Sequence, residues 1–319
     1  MPYFTPTNET TYVDNRTGEV IASNSNELVA LYFLNMLHTN GSVSQYAMYN
    51  AIKDVIEKAD NGEPVPTTEQ QYAIIQLLAH MTNPSNRDLE LDDFDEADKR
   101  YLIDNLIYIK GAAGSGKTTV IFKTALRAYK KLNNIAGNPK VLVIAPTREV
   151  GELSKKAISN EGDVTVRTYN EVIFGEKSLA EGFDFVILDE STLLENDDVI
   201  ALKDKLSGTK SVVVALGDEF QTRNTSATLL PPISKSGKKT LRITEQHRSK
   251  ISTIKNLQES LVAMVLTNVN TALPSLQYTK QNGVAYGGKY FATRDEIIEA
   301  FKNDPSDDAI LVVETEAEA

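Results

Sequence analysis

The chain contains no cysteine, which excludes a disulfide framework and any thiolate-based metal site. No apolar run approaches the ~20 residues that a membrane-spanning helix needs, so no membrane partner is expected. The stretch from Met1 to Thr11 is too polar for a secretory signal, and a cytoplasmic location is the expectation. Positive charge is also in deficit. With 33 Lys and Arg against 44 Asp and Glu, the formal net charge is −11, which argues against a protein that coats nucleic acid non-specifically. Contact with a phosphate backbone would have to come from local basic stripes. Candidates are Lys123, Arg127, Lys130 and Lys131, then Lys155 and Lys156, then Lys235, Lys238 and Lys239; each also reads as ordinary solvated surface. Repeats and low-complexity segments are absent. What remains is a globular composition, 41% apolar over 319 residues, long enough for two domains.

The most informative stretch is "IYIKGAAGSGKTTVIFKTAL", from Ile107 to Leu126. A β-branched run leads into a glycine-rich turn and then into helix-forming residues, the strand–loop–helix order a phosphate loop requires. Gly111, Gly114 and Gly116 permit backbone angles closed to other residues. Amides of the loop that includes Ala112, Ala113, Ser115 and Thr119 are thereby free to turn toward phosphate oxygens at a helix N-terminus. Lys117 supplies a point charge for the β- and γ-phosphates, and the Thr118 hydroxyl is placed to ligate magnesium.

Around this loop the chain is organised in alternating runs. Tyr3 to Ser23 reads as a hairpin with a turn at Asn15 to Gly18. Glu27 to His38 and Gln45 to Lys58 read as helices, followed by the breaker "ADNGEPVPTT". "TTEQQYAIIQLLAHM" is a threonine cap leading into an amphipathic helix, and "NRDLELDDFDEADKRYLIDNL" reads as an exposed acidic helix or ordered insertion. Strands are predicted at Val141 to Ile144, Val164 to Arg167, Phe185 to Leu188 and Val212 to Leu216. Strands alternating with helices predict an α/β fold with a parallel sheet covered on both faces. The expected domains are an N-terminal hairpin and helices over 1–64, a phosphate-loop domain over 65–232, and a partial second domain over 233–319.

Two further strands end in chemistry. "FDFVILDEST" delivers Asp189 and Glu190 to the carboxyl edge of the sheet, where Asp189 is placed to hold magnesium through water and Glu190 to orient or deprotonate an attacking water. "SVVVALGDEFQTRN" ends in Gly217, Asp218 and Gln221, a glutamine suited to sense a γ-phosphate.

The order of these segments resembles superfamily 1 DNA helicases. Seven motifs match in sequence between Thr67 and Ser249. Gln70 matches the glutamine that reads the adenine edge, "GAAGSGKTT" the Walker A loop, "ILDEST" the Walker B element and "GDEFQ" the sensor. "VLVIAPTREV" and "VRTYNEVI" are similar to segments that grip single-stranded DNA, implicating Pro146, Thr147 and Thr168. "LRITEQHRS" is similar to the motif that brings an arginine, here Arg248, to the γ-phosphate. Read without the family, Gln70 also fits a helix-capping or surface role, and Tyr169 is either a strand contact or a core aromatic.

The resemblance implies a RecA-like fold, ATP and Mg2+ as ligands, and Lys117, Asp189, Glu190, Gln221 and Arg248 as the catalytic set. The short spacing between motifs is closest to the 5′-to-3′ branch that includes phage accessory helicases. Two departures follow. The family's later motifs, including a second γ-phosphate-sensing arginine, have no counterpart after "DDAILVVETEAEA", and too few residues separate Thr168 from Asp189 for an inserted wedge. The chain is therefore expected to be part of a longer or multi-chain motor acting with replication or phage proteins. The alternative is a structural component of a phage virion that keeps a helicase-derived nucleotide fold.

Overall fold

The computed structural model describes residues 64–82, 99–175, 182–218 and 240–244. It also describes short strands at 4–8, 11–14, 20–22, 279–281 and 284–286, and residues 51, 54, 298, 299, 302 and 303. The chain divides into two units, Met1–Arg248 and Ser249–Ala319. In the second, strands at Thr279–Gln281 and Val284–Tyr286 form an antiparallel pair.

In the first unit, strands β1 (Phe4–Asn8), β2 (Thr11–Asp14) and β3 (Val20–Ala22) form an antiparallel sheet in that order. The expected hairpin is β2 and β3; β1 is an addition to it. The expected helix at Glu27 to His38 lies outside the described residues, as does most of the next one, of which Ala51 and Asp54 are helical.

The main body starts with α1 (Thr68–Thr82) and β4 (Leu106–Gly111). A π-helical turn over Lys117–Phe122 then runs into α2 (Lys123–Leu132). Next come β5 (Lys140–Ala145), α3 (Arg148–Ile158), β6 (Asp163–Thr168), α4 (Tyr169–Ile173), β7 (Phe185–Leu188), α5 (Asn196–Leu206), β8 (Val212–Gly217) and β9 (Thr240–Ile243). The six strands β4 to β9 form one parallel sheet in the order β6-β5-β7-β8-β4-β9.

Burial follows from position in this order. The central strands β7 and β8 are buried at every residue, as strands covered on both faces must be. At the edge, β6 alternates, with Val164 and Val166 inward and Asp163, Thr165 and Arg167 exposed. Strand parity splits the core in two. One face carries Ile107, Ile109, Val143, Ile187 and Val214 against α1, α2 and the end of α3. The other carries Tyr108, Ile144, Leu188 and Ala215 against α4 and α5. The end of the acidic stretch is not the exposed helix expected: its apolar residues Tyr101 and Ile103 are buried in this second core.

The architecture is the α/β RecA-like arrangement expected from the sequence. The strand carrying Asp189 is separated from the strand leading into the glycine-rich loop by β8. Among the described residues no helix is long and apolar enough to cross a membrane.

Candidate functional site

Because all six strands run in parallel, their carboxyl ends lie along one edge of the sheet, and so do the loops that follow them. The glycine-rich loop leaves β4 and closes with Gly114 and Gly116 in left-handed conformations, φ 85° and 81°. At Gly116 a Cβ would also stand 2.8 Å from the Gln70 amide nitrogen, so only glycine fits. The turn that follows starts with Val120 and Ile121 amides donating to the Gly116 carbonyl at 2.9 and 3.0 Å.

The loop is braced from two sides. Gln70, 3% exposed, donates from Nε2 to the Ser115 carbonyl at 2.8 Å and accepts from the Thr67 amide at 3.0 Å. Its neighbour Glu69 accepts from both the amide and the hydroxyl of Thr244, at 2.8 and 2.9 Å, just beyond β9. Asp218, at the tip of β8, accepts from the Ala113 amide at 2.9 Å. The sequence signal for this bracing role is a carboxylate directly after a fully buried strand.

Lys117 lies over its own loop, Nζ donating to the Gly111 carbonyl at 2.6 Å and the Ala112 carbonyl at 3.2 Å. Thr118 is half-buried and Thr119 exposed. The Ser115 hydroxyl is fully buried with no hydrogen-bond partner.

Asp189 follows Leu188, and since Leu188 faces the α4/α5 core, strand alternation sends the aspartate side chain to the opposite face, toward α3. There Oδ2 accepts from the hydroxyl of Ser154 on α3, while Oδ1 accepts from the Glu190 amide at 3.0 Å. The Asp189 amide donates to the Ile144 carbonyl at 2.8 Å. Its carbonyl accepts from the Tyr169 hydroxyl, also at 2.8 Å. Glu190 takes a left-handed backbone, φ 50° and ψ 39°, a conformation that costs a non-glycine residue about 1 kcal/mol or more and concentrates at functional sites.

Tyr169 is therefore placed in the core with its hydroxyl turned to the site. Burial, then the charges of Asp189, Glu190 and Asp198, holds its phenol well above the ordinary range.

Pro146, Thr147 and Thr168 come together at the same edge, since Ala145 and Thr168 are register partners of β5 and β6. The two hydroxyls cap the helices that follow: Thr147 accepts from the Val150 amide at 3.4 Å and Thr168 from the Glu171 amide at 3.2 Å. An Arg148–Glu171 ion pair at 2.5 Å joins the two first turns. Of the basic stripes, the first is largely paired, Arg127 and Lys130 with Glu161 and Lys131 with Asp54. Gln221, Arg248 and the stripe from Lys235 to Lys239 lie outside the described residues.

The residues expected at a cation are oxygen donors, the type a hard ion takes. Among the described residues no three His, Cys, Asp or Glu side chains form a cage. Thr118 and Asp189 offer one hydroxyl and one carboxylate, the sparse oxygen set with which magnesium is retained next to substrate phosphates and water.

The AAA-domain family matches residues 100–271, more than half of the chain. Among solved structures the chain is similar to the arterivirus nonstructural protein 10, a helicase, in complex with DNA. The identity is 14%, the match covers 53% of this chain and 42% of that one, and the TM-score is 0.32. No curated protein sequence matches.

Proposed function

This chain belongs to the AAA-domain family, and from that premise we propose that it binds Mg-ATP and works as an ATP-dependent motor of the superfamily 1 helicase type on single-stranded DNA. The observation that carries the reading is the convergence at one sheet edge. The glycine-rich loop with Lys117, the Asp189–Glu190 pair and the Pro146, Thr147 and Thr168 segments all end or follow strands of the same parallel sheet.

In this reading the loop amides and Lys117 bind the triphosphate, the lysine exchanging its own loop carbonyls for phosphate oxygens. Thr118 and Asp189 hold Mg2+, which when bound neutralises charge on the phosphate oxygens. Glu190, fixed through its amide to Asp189, orients the attacking water and takes its proton. Gln70 braces the loop; its amide reads the adenine edge if it trades the Ser115 or Thr67 partner. Gln221 senses the γ-phosphate and Arg248 stabilises its developing charge. Pro146, Thr147 and Thr168 grip a single strand by its backbone.

Lys117→Ala tests the assignment. Steady-state turnover of ATP with single-stranded DNA present should fall to background, and unchanged turnover would remove Lys117 from the site. Turnover in the unaltered protein that is indifferent to DNA would favour the packaged-component reading instead.

A further inference from the structure

Asp189 is held at every polar atom it has, and two of the four partners come from helices that start at the expected strand contacts. Ser154 on α3 donates to Oδ2, and Tyr169 at the start of α4 donates to the main-chain carbonyl. Ser154 lies seven residues, two helical turns, from the α3 cap Thr147, and so on the same side of a rigid rod. Tyr169 directly follows the α4 cap Thr168. The Arg148–Glu171 ion pair spans the two first turns, which puts the two caps side by side. Gly151 fits the same picture. A Cβ there would collide with Val166 of β6, so its absence lets α3 press onto the sheet and brings Ser154, 7% exposed, within reach of the carboxylate.

We propose that Ser154 and Tyr169 are positioning residues through which a strand bound at the α3 and α4 caps sets the Asp189 carboxylate. The inference rests on the functional reading above. Its chemical sense lies in the Glu190 amide, which donates to the other Asp189 oxygen. Moving Oδ2 therefore rotates the carboxylate and shifts the peptide that carries the base. Strand binding then changes turnover without a direct contact between nucleic acid and nucleotide, as a coupling between two sites through one shared residue.

The test compares the unaltered chain with Ser154→Ala and Tyr169→Phe, each of which deletes one hydroxyl. ATP turnover is measured with and without oligothymidylate, and affinity for the labelled oligonucleotide by fluorescence anisotropy. The expected result is that oligonucleotide affinity persists while the ratio of stimulated to basal turnover falls about fivefold or more in each variant. A hydroxyl that only supported the fold would lower both rates in proportion, and that outcome would overturn the proposal, as would a wild-type ratio in both variants. Should Ser154→Ala fail to fold, Tyr169→Phe decides by the same ratio. Unaltered protein that turns over ATP with no response to oligothymidylate overturns the functional reading itself, which separates that failure from this one.

Discussion

At the scale of single residues, the site depends on side chains whose neighbours are distant in sequence. The positions of Lys117 and Thr118 after a glycine-rich loop and of Asp189 and Glu190 at a strand tip were legible, because a loop pattern and an apolar run announce them. Ser154 was not. In "GELSKKAI" it is a serine on the inward stripe defined by Gly151 and Ile158, and a polar residue at such a position was the available hint. Tyr169 was ambiguous because an aromatic after a threonine fits a strand contact and a core equally well; its hydroxyl bond to Asp189 at 2.8 Å shows how a buried ring also serves the site.

Its environment yields a prediction about alkaline pH. Burial and three nearby carboxylates raise the folded-state phenol above its unfolded value near 10. Below that value both states keep the proton, so the full stability is present. As pH rises past about 10 the unfolded chain releases the proton first, and stability is lost. Denaturant midpoints measured at intervals from pH 8 to pH 11 should therefore fall less steeply in Tyr169→Phe than in the unaltered protein; parallel slopes would show that Tyr169 does not titrate this way.

At the scale of elements, the four strands predicted after the loop all formed, three of them because continuous apolar runs leave the chain no other way to bury both faces of a parallel sheet. Even the edge was written in the sequence: β6 reads Asp163-Val164-Thr165-Val166-Arg167, the alternation of a strand with one covered face. Pairing order was not legible, since periodicity fixes which face a residue takes but not which strand lies beside it. The placement of β8 between β4 and β7 sets the lateral position of Asp189 relative to the glycine-rich loop.

Packing then makes that position firm. Phe185, on the strand that carries Asp189, meets Phe122 and Tyr129 edge-on, with ring centroids 6.3 and 5.0 Å away. These rings belong to the turn after the loop and to α2, so one aromatic cluster joins both halves of the candidate site. Phe185→Ala is expected to cost about 3–5 kcal/mol, read as a lowered denaturant midpoint with an unchanged slope. A cost under 1 kcal/mol would mean that the cluster does not bear on the sheet.

At the scale of the whole molecule, the sheet edge collects what the sequence scattered over more than a hundred residues. It gathers a loop braced by Gln70 and Asp218, an aspartate held from two helices, and two capped helix starts side by side. The formal charge of −11 disfavours diffuse attraction to a phosphate backbone, and Arg127, Lys130 and Lys131 are engaged with Glu161 and Asp54.

The most direct test of the central claim is a titration of the purified protein with a fluorescent ATP analogue, with and without magnesium. Saturable binding that tightens with magnesium and is lost in both Lys117→Ala and Asp189→Ala is the predicted result. Folded protein that takes up no nucleotide, or takes it up equally well without Lys117 and Asp189, would contradict the account.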